Sequence, residues 1–193
     1  KKQVLPRTRR RDWPRGRIDH FVLSRLEQHK LSPSPAADRR TLIRRLSLDL
    51  VGLPPTRARI DEFVRDQRAN AIQRLVDRLL ASRHYGERWG RHWLDVARWA
   101  EDNPTSEATN RPHPDAWRYR DWVIEAINKD VPYDRFLKLQ LAADLMPDFH
   151  RDDLRALGYL GTAPTYHKDP RLSKTVIETI ASDDWDERVD ALS

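Results

Sequence analysis

The 193-residue chain contains no cysteine. That removes disulfides, thiolate zinc sites, cysteine nucleophiles and thioether-bound haem from these residues. It leaves the compartment open, because a cysteine-free chain is compatible with either redox environment. No run approaches the roughly 18 apolar residues of a membrane span, and no apolar signal core opens the chain. The sequence begins on Lys1 rather than Met, so it reads as a piece of a longer protein. Also missing are a glycine-rich phosphate loop and a Gly-x-Ser-x-Gly nucleophile elbow. There is no convincing β-alternation, internal repeat or low-complexity block.

What the chain does have is seven tryptophans, which argue for a folded core even though 34% of residues are charged. Its net charge of +6 is unevenly placed. Residues 1–17 carry Lys1, Lys2, Arg7, Arg9, Arg10, Arg11, Arg15 and Arg17 against Asp12 alone, a balance of +7, so the other 176 residues sum to about −1. The basicity belongs to an N-terminal tail, and overall charge is therefore a poor guide to what the folded body binds.

Pro6, Pro14 and Gly16 interrupt that tail, which reads as an extended lead-in. From there the spacing is helical. Ile18, Phe21, Val22 and Leu26 form a first stripe, ended by Ser32-Pro33-Ser34-Pro35. Asp38 caps a second helix through Leu42, Ile43, Leu46 and Leu50, closed by Gly52. Thr56 caps a third with Ile60, Phe63 and Val64, and a fourth carries Ile72, Leu75, Val76, Leu79 and Leu80. The double-proline turn between the second and third is too rigid for helix-turn-helix, so nucleic acid is not the expected partner. Asp115 caps a helix with core face Tyr119, Trp122, Val123, Ala126 and Ile127. The next is expected to turn Phe136, Leu137, Leu141 and Leu145 inward, and a last helix Val176, Ile177, Ile180, Trp185, Val189 and Leu192. The fold expected is all-α, seven to nine helices in one domain over residues 18–193, after a basic extended tail at 1–17.

The densest chemistry lies in residues 84–102, HYGERWGRHWLDVARWAED, expected as one helix. At 100° per residue, Trp89, Trp93, Val96, Ala97 and Ala100 share one arc, the expected core face. Arg88, His92, Asp95, Trp99 and Asp102 share another, with Arg98 at its edge. His92 and Asp95, one turn apart, can orient an imidazole or ligate a metal. Asp102 and His113 are candidates to complete such a site, but His-x-x-Asp alone is a weak metal signature. A structural hydrogen-bond network is the leading reading of this face. Arg118 and Arg120 stand beside aromatic rings, and Trp99, Trp117 and Tyr119 can form a platform for a sugar or base. Gln140 and Asp144 are candidate buried partners for Arg98 or Arg118. Tyr166 and His167 form a small titratable cluster in a loop, with His167 an acid–base candidate.

The order of the segments DRRTLIRRLSLDLVGLPPT (38–56), LVDRLLASRHYGERWGRHWLDVARWAED (75–102), AWRYRDWVIEAINKDVPYDRFLKLQLAADLMP (116–147) and ERVDALS (187–193) closely resembles one family. It is the cytochrome-associated domain of unknown function of large exported planctomycete and verrucomicrobial proteins, and the likeness covers residues 13–193. The family's characteristic positions fall on His84, Tyr85, Gly86, Arg88, Trp89, His92, Trp93, Asp95 and Arg98, then Trp117, Arg118, Tyr119, Arg120 and Asp121. Trp99 stands where tyrosine is usual and Ala143 where glycine is common. The resemblance carries no catalytic role to any of these positions.

It does imply a parent protein with a c-type cytochrome module upstream, another domain downstream, and a Cys-x-x-Cys-His motif soon after VDALS. No cofactor is expected within the chain itself, and haem c is expected elsewhere in the parent. The chain would then be truncated at its C-terminal end relative to the family and would lie outside the cytoplasm. The resulting expectation is a scaffold, docking or ligand-presenting module of an extracytoplasmic redox or polysaccharide-processing system. Two alternatives stand beside it: a hydrolase or oxidoreductase with a His/Asp site, metal-assisted or not, and polyanion binding through the tail.

Overall fold

A computed structural model describes residues 3–100, 114–161 and 171–190. Among these the fold is entirely helical. The elements are α1 (Arg17–Gln28), α2 (Arg39–Val51), α3 (Arg57–Arg65), α4 (Ala71–Leu80), α5 (Arg83–Val96), α6 (Ala116–Asn128) and α7 (Tyr133–Ala142). A 3-10 turn (Ala143–Leu145), a 3-10 stretch (Arg151–Leu157), the four-residue α8 (Gly158–Gly161) and α9 (Lys174–Asp190) complete them. The chain divides into two compact units, Lys1–Thr41 and Leu42–Ser193.

In the first unit, residues 3–16 form no regular element and are tied back to α1 through their backbone. The Glu27 carboxylate accepts from the amides of Arg9 (3.0 Å) and Arg10 (3.1 Å), and the Arg17 guanidinium donates to the Gln3 carbonyl (2.8 Å). Asp19, at the third helical position, accepts from the amides of Arg15 and Gly16 and so satisfies donors that the start of α1 leaves open. At the other end Lys30 takes φ 57°, Leu31 N–H reaches Leu26 C=O and Lys30 N–H reaches Glu27 C=O. This is a Schellman ending with a lysine where glycine is commonest. The sequence expectation for α1 is inverted: Leu23 is its buried side chain, while Ile18, Phe21 and Val22 face outward.

The second unit has two cores. The smaller joins Ile43, Phe63, Ala71 and Leu75, with Leu42, Leu46, Ile60 and Leu79 packed against them. Of the expected caps, Asp38 Oδ1, in the first unit, accepts from Thr41 N–H (3.0 Å) and Thr56 Oγ1 from Arg59 N–H (3.4 Å), whereas Asp115 precedes α6 without a side-chain cap bond among the described residues. Gly52 ends α2 at φ 72°, a left-handed position that favours glycine, and a β-carbon there would also displace the Arg88 side chain.

The larger core is aromatic. Trp122 stacks on Phe136 (centroids 5.1 Å), Trp93 meets Phe136 edge-on (4.9 Å), and Tyr119 and Tyr159 pack alongside. The face of α6 is as expected, with Tyr119, Trp122, Val123 and Ala126 buried. That of α7 is not. Phe136, Leu139, Gln140 and Ala143 point inward, whereas Leu141 and Leu145 are exposed. Spacing 136/139/140/143 is a clean helical arc, but it recruits a glutamine and an alanine in place of two leucines. In α9 the expected core residues Val176, Trp185 and Val189 are exposed. Val176, Ile177 and Ile180 lie on one side of that helix and Trp185 and Val189 nearly opposite, so no single apolar face exists to bury.

Candidate functional site

The helix that carries most of the candidate chemistry is shorter than its sequence pattern. α5 begins at the Ser82 cap and ends at Val96. Arg98 adopts φ 49°, its N–H bonds Asp95 C=O, and Trp99 N–H bonds Leu94 C=O, a second Schellman ending. Trp99 therefore lies beyond the helix. Asp102, His113, Tyr166 and His167 lie outside the described residues.

The packed face of α5 is also not the tryptophan face. Gly86, Gly90, Leu94 and Ala97 are buried, while Trp89 (41% exposed) and Val96 (54%) face outward. The two glycines, four residues apart, let α5 press onto α6: a β-carbon on Gly86 would sit 2.4 Å from the Ile124 carbonyl oxygen and 2.6 Å from the Asn128 amide. Asn128 completes the clamp, accepting from Gly86 N–H (2.8 Å) and donating to Arg83 C=O (3.1 Å). A wheel scored by hydropathy misses this face because glycine contributes nothing to it. The Gly-x-x-x-Gly spacing was the readable signal.

Of the expected tryptophan face, Ala97 is buried and Trp93 also reaches inward. Its indole N–H lies 2.9 Å from Tyr119 Oη and 3.0 Å from Gln140 Oε1, and Tyr119 O–H donates to the same Gln140 oxygen (2.6 Å). Gln140 Nε2 closes the network onto Phe136 C=O (3.0 Å). Burial pushes the Tyr119 hydroxyl pKa upward, so it stays a neutral donor. Gln140 thus partners Trp93 and Tyr119 rather than Arg98 or Arg118, and Asp144 is exposed. The one buried hydroxyl of this core without a hydrogen bond among the described residues is Tyr159 Oη.

His92 and Asp95 both lie exposed on the outer surface of α5, the imidazole tilted against the Trp89 ring (5.4 Å between centroids). Among the described residues no group of three or more His, Asp or Glu is placed to hold a metal ion. The three-aromatic platform does not assemble. Tyr119 is buried, Trp117 is exposed, and Trp99 is half-buried with its indole N–H on Ala116 C=O (3.1 Å). The expected cations do meet rings: the Arg120 guanidinium lies 5.7 Å from the centre of Trp99, and that of Arg118 5.4 Å from Trp117.

What the fold assembles instead is a cleft of about 570 Å³ between the first turn of α6 and the 3-10 stretch 151–157. Arg118, Arg151 and Arg155 line it, with Asp115 and Asp152. Arg155 is set by a two-pronged pair with Glu125 (2.9 and 3.2 Å) and by its Nε–H on Asp152 C=O (3.1 Å). That pair holds the Glu125 carboxyl below its ordinary pKa, chiefly through the Arg155 hydrogen bonds. Arg118 pairs with Asp115 (3.0 Å). Three guanidinium groups line this cleft, an arrangement suited to a carboxylate or other anion. A short helix is readable from about Asp152 to Leu157, but nothing in its local sequence marks Arg151 and Arg155 as facing the start of α6.

A family model described as PSCyt2, protein of unknown function (DUF1549), matches residues 17–193. The chain belongs to the PSCyt2 family. No curated protein and no solved structure matches it. PSCyt2 is the planctomycete-specific, cytochrome-associated domain. Thioether attachment of haem c requires cysteines, and this PSCyt2 chain has none, so no haem c is attached to these residues. No described helix is long and apolar enough to cross a membrane.

Proposed function

We propose that this PSCyt2 chain is a docking module, working by binding rather than by catalysis, in an extracytoplasmic protein that also carries a cytochrome c module. The observation that supports this reading is the arginine-lined cleft at the start of α6. Its wall residue Arg155 is held by Glu125, so a guanidinium is presented in a fixed orientation, and Arg118 lines the same cleft from the first turn of α6. Preorganised guanidinium groups bind carboxylates with little ordering cost. An acidic group on a neighbouring domain of the same parent is the natural occupant, and an acidic saccharide is the small-molecule equivalent. The His92–Asp95 pair contributes to the outer surface of α5 in this reading, beside Trp89.

The test is calorimetric titration of the chain with the parent's cytochrome module and, separately, with a uronic-acid oligomer. Arg118→Ala combined with Arg151→Ala is expected to weaken one of them about tenfold or more at low ionic strength, without moving the unfolding midpoint. Unchanged binding of both, or no binding by the unsubstituted chain, would overturn the docking assignment. Turnover of an ester or glycoside that disappears in His92→Ala would replace it with the enzyme reading.

A further inference from the structure

The first unit carries an unusual concentration of charge. Residues 1–41 hold twelve Lys and Arg against four Asp and Glu, a balance of +8, and the remaining residues therefore sum to −2. The four acids of this unit are mostly spent on the chain's own donors. Glu27 accepts from the backbone amides of Arg9 and Arg10, Asp19 from those of Arg15 and Gly16, and Asp38 from the Thr41 amide and hydroxyl. Asp12 pairs with Arg10 at 3.2 Å. The arm's backbone is thus pinned to α1 while the side chains of Arg7, Arg9, Arg11, Arg15 and Arg17 stay exposed.

The same unit turns apolar surface outward. Val4 is 90% exposed and Ile18 77%, and Phe21, Val22 and Leu31 are exposed as well. Phe21, Val22, Leu26 and Leu31 line an open groove of about 420 Å³ whose remaining wall is Arg25 and His29. On the helical wheel Ile18, Phe21 and Val22 share one half-turn with Arg17, Arg25 and His29. Water alone is a poor occupant for such a face, and a purely polyanionic chain would leave its apolar part unused. Interleaved cations and bulky apolar side chains match a surface that is anionic outside and hydrocarbon just beneath.

We propose that residues 3–31 form a peripheral membrane site, in which Ile18, Phe21 and Val22 enter the boundary of an anionic lipid surface and the arm's arginines meet its headgroup phosphates. Charge complementarity selects this occupant over a second copy of the chain, since residues 3–31 hold eight Lys and Arg against three Asp and Glu and two such surfaces repel. The site is separate from the α6 cleft and stands or falls without it.

Co-sedimentation of the full chain with lipid vesicles tests the proposal. Phosphatidylcholine vesicles containing roughly a third phosphatidylglycerol should bind it at least about tenfold better than phosphatidylcholine alone, with the advantage shrinking as salt rises. Phe21→Ser combined with Val22→Ser, both at exposed positions, should lower partition about tenfold, and so should Arg7→Gln with Arg9→Gln and Arg11→Gln. Absence of vesicle binding would overturn the assignment. So would phosphatidylglycerol binding indifferent to the Phe21 and Val22 changes while heparin binding follows the arginines, which marks a polyanion arm. A dimer in sedimentation equilibrium that the Phe21 and Val22 changes dissolve would make the face a self-interface instead.

Discussion

The two faces of α5 carry opposite kinds of residue and meet opposite fates. One offers Gly86, Gly90, Leu94 and Ala97, which are small or modest in size, and it is buried. The other offers Tyr85, Trp89, His92 and Val96, rich in aromatic area, and most of it remains at the surface. Transfer free energy alone would choose the second, at roughly 25 cal/mol for each Å² removed from water. Close approach decides for the first. Without side chains in the way, the backbone of α5 comes within van der Waals range of α6, the Asn128 clamp becomes possible, and Trp93 reaches Gln140.

Substitutions along the two faces break that contrast in a graded order. Gly86→Ala has the largest expected effect. Its β-carbon would collide with the Ile124 carbonyl, and the chain is expected to lose about 3 kcal/mol or more in a urea titration. A variant within about 0.5 kcal/mol of the parent would show that α5 is not held by its glycines. Gln140→Leu comes next. It conserves bulk but leaves the buried Tyr119 hydroxyl without its acceptor and Trp93 with Tyr119 Oη alone, at about 2 kcal/mol in the same titration. A neutral result would mean the network is replaceable by packing.

The Glu125–Arg155 pair gives a smaller, pH-dependent effect. Its folded-state pKa is lowered, so its contribution is complete above the ordinary glutamate value and is lost as pH falls through the folded one. Glu125→Gln should therefore cost stability at neutral pH and flatten the decline of the thermal midpoint in acid, modestly because the carboxylate is 44% exposed. An acid slope identical to the parent's would remove the pair from the account of the cleft. Tyr159→Phe deletes a buried hydroxyl that has no partner among the described residues and is expected to raise stability by up to about 1 kcal/mol. A loss would reveal a hydrogen bond to solvent or ligand at that atom. Smallest of all is Trp89→Ser, expected within about 0.5 kcal/mol despite removing an indole. A large loss there would restore the tryptophan face as the organising one.

Much of the fold was readable before the structure. The caps at Asp38 and Thr56, the glycine closure at residue 52 and the inward face of α6 follow from local rules, because capping and periodicity depend on neighbours in the chain. The inward Gln140 and outward Leu141 were not, since a glutamine becomes a core residue only where Trp93 and Tyr119 arrive to pair with it. Nor was the end of α5, because Arg98 holds a left-handed position that sequence rules assign to glycine. His92 and Asp95 were correctly placed on one face, but whether that face is inside or outside depends on α6.

The residue order settles a cysteine-free chain, all-helical among the described residues, with a basic N-terminus and membership of the PSCyt2 family. These follow from composition, spacing and short-range capping, each a property of residues a few positions apart. Which faces are buried, which arginines share the α6 cleft and which apolar side chains remain outside were decided only when distant helices met. Those outcomes turn on how closely two backbones can approach, and for α5 that distance is set by Gly86 and Gly90 against Ile124 and Asn128.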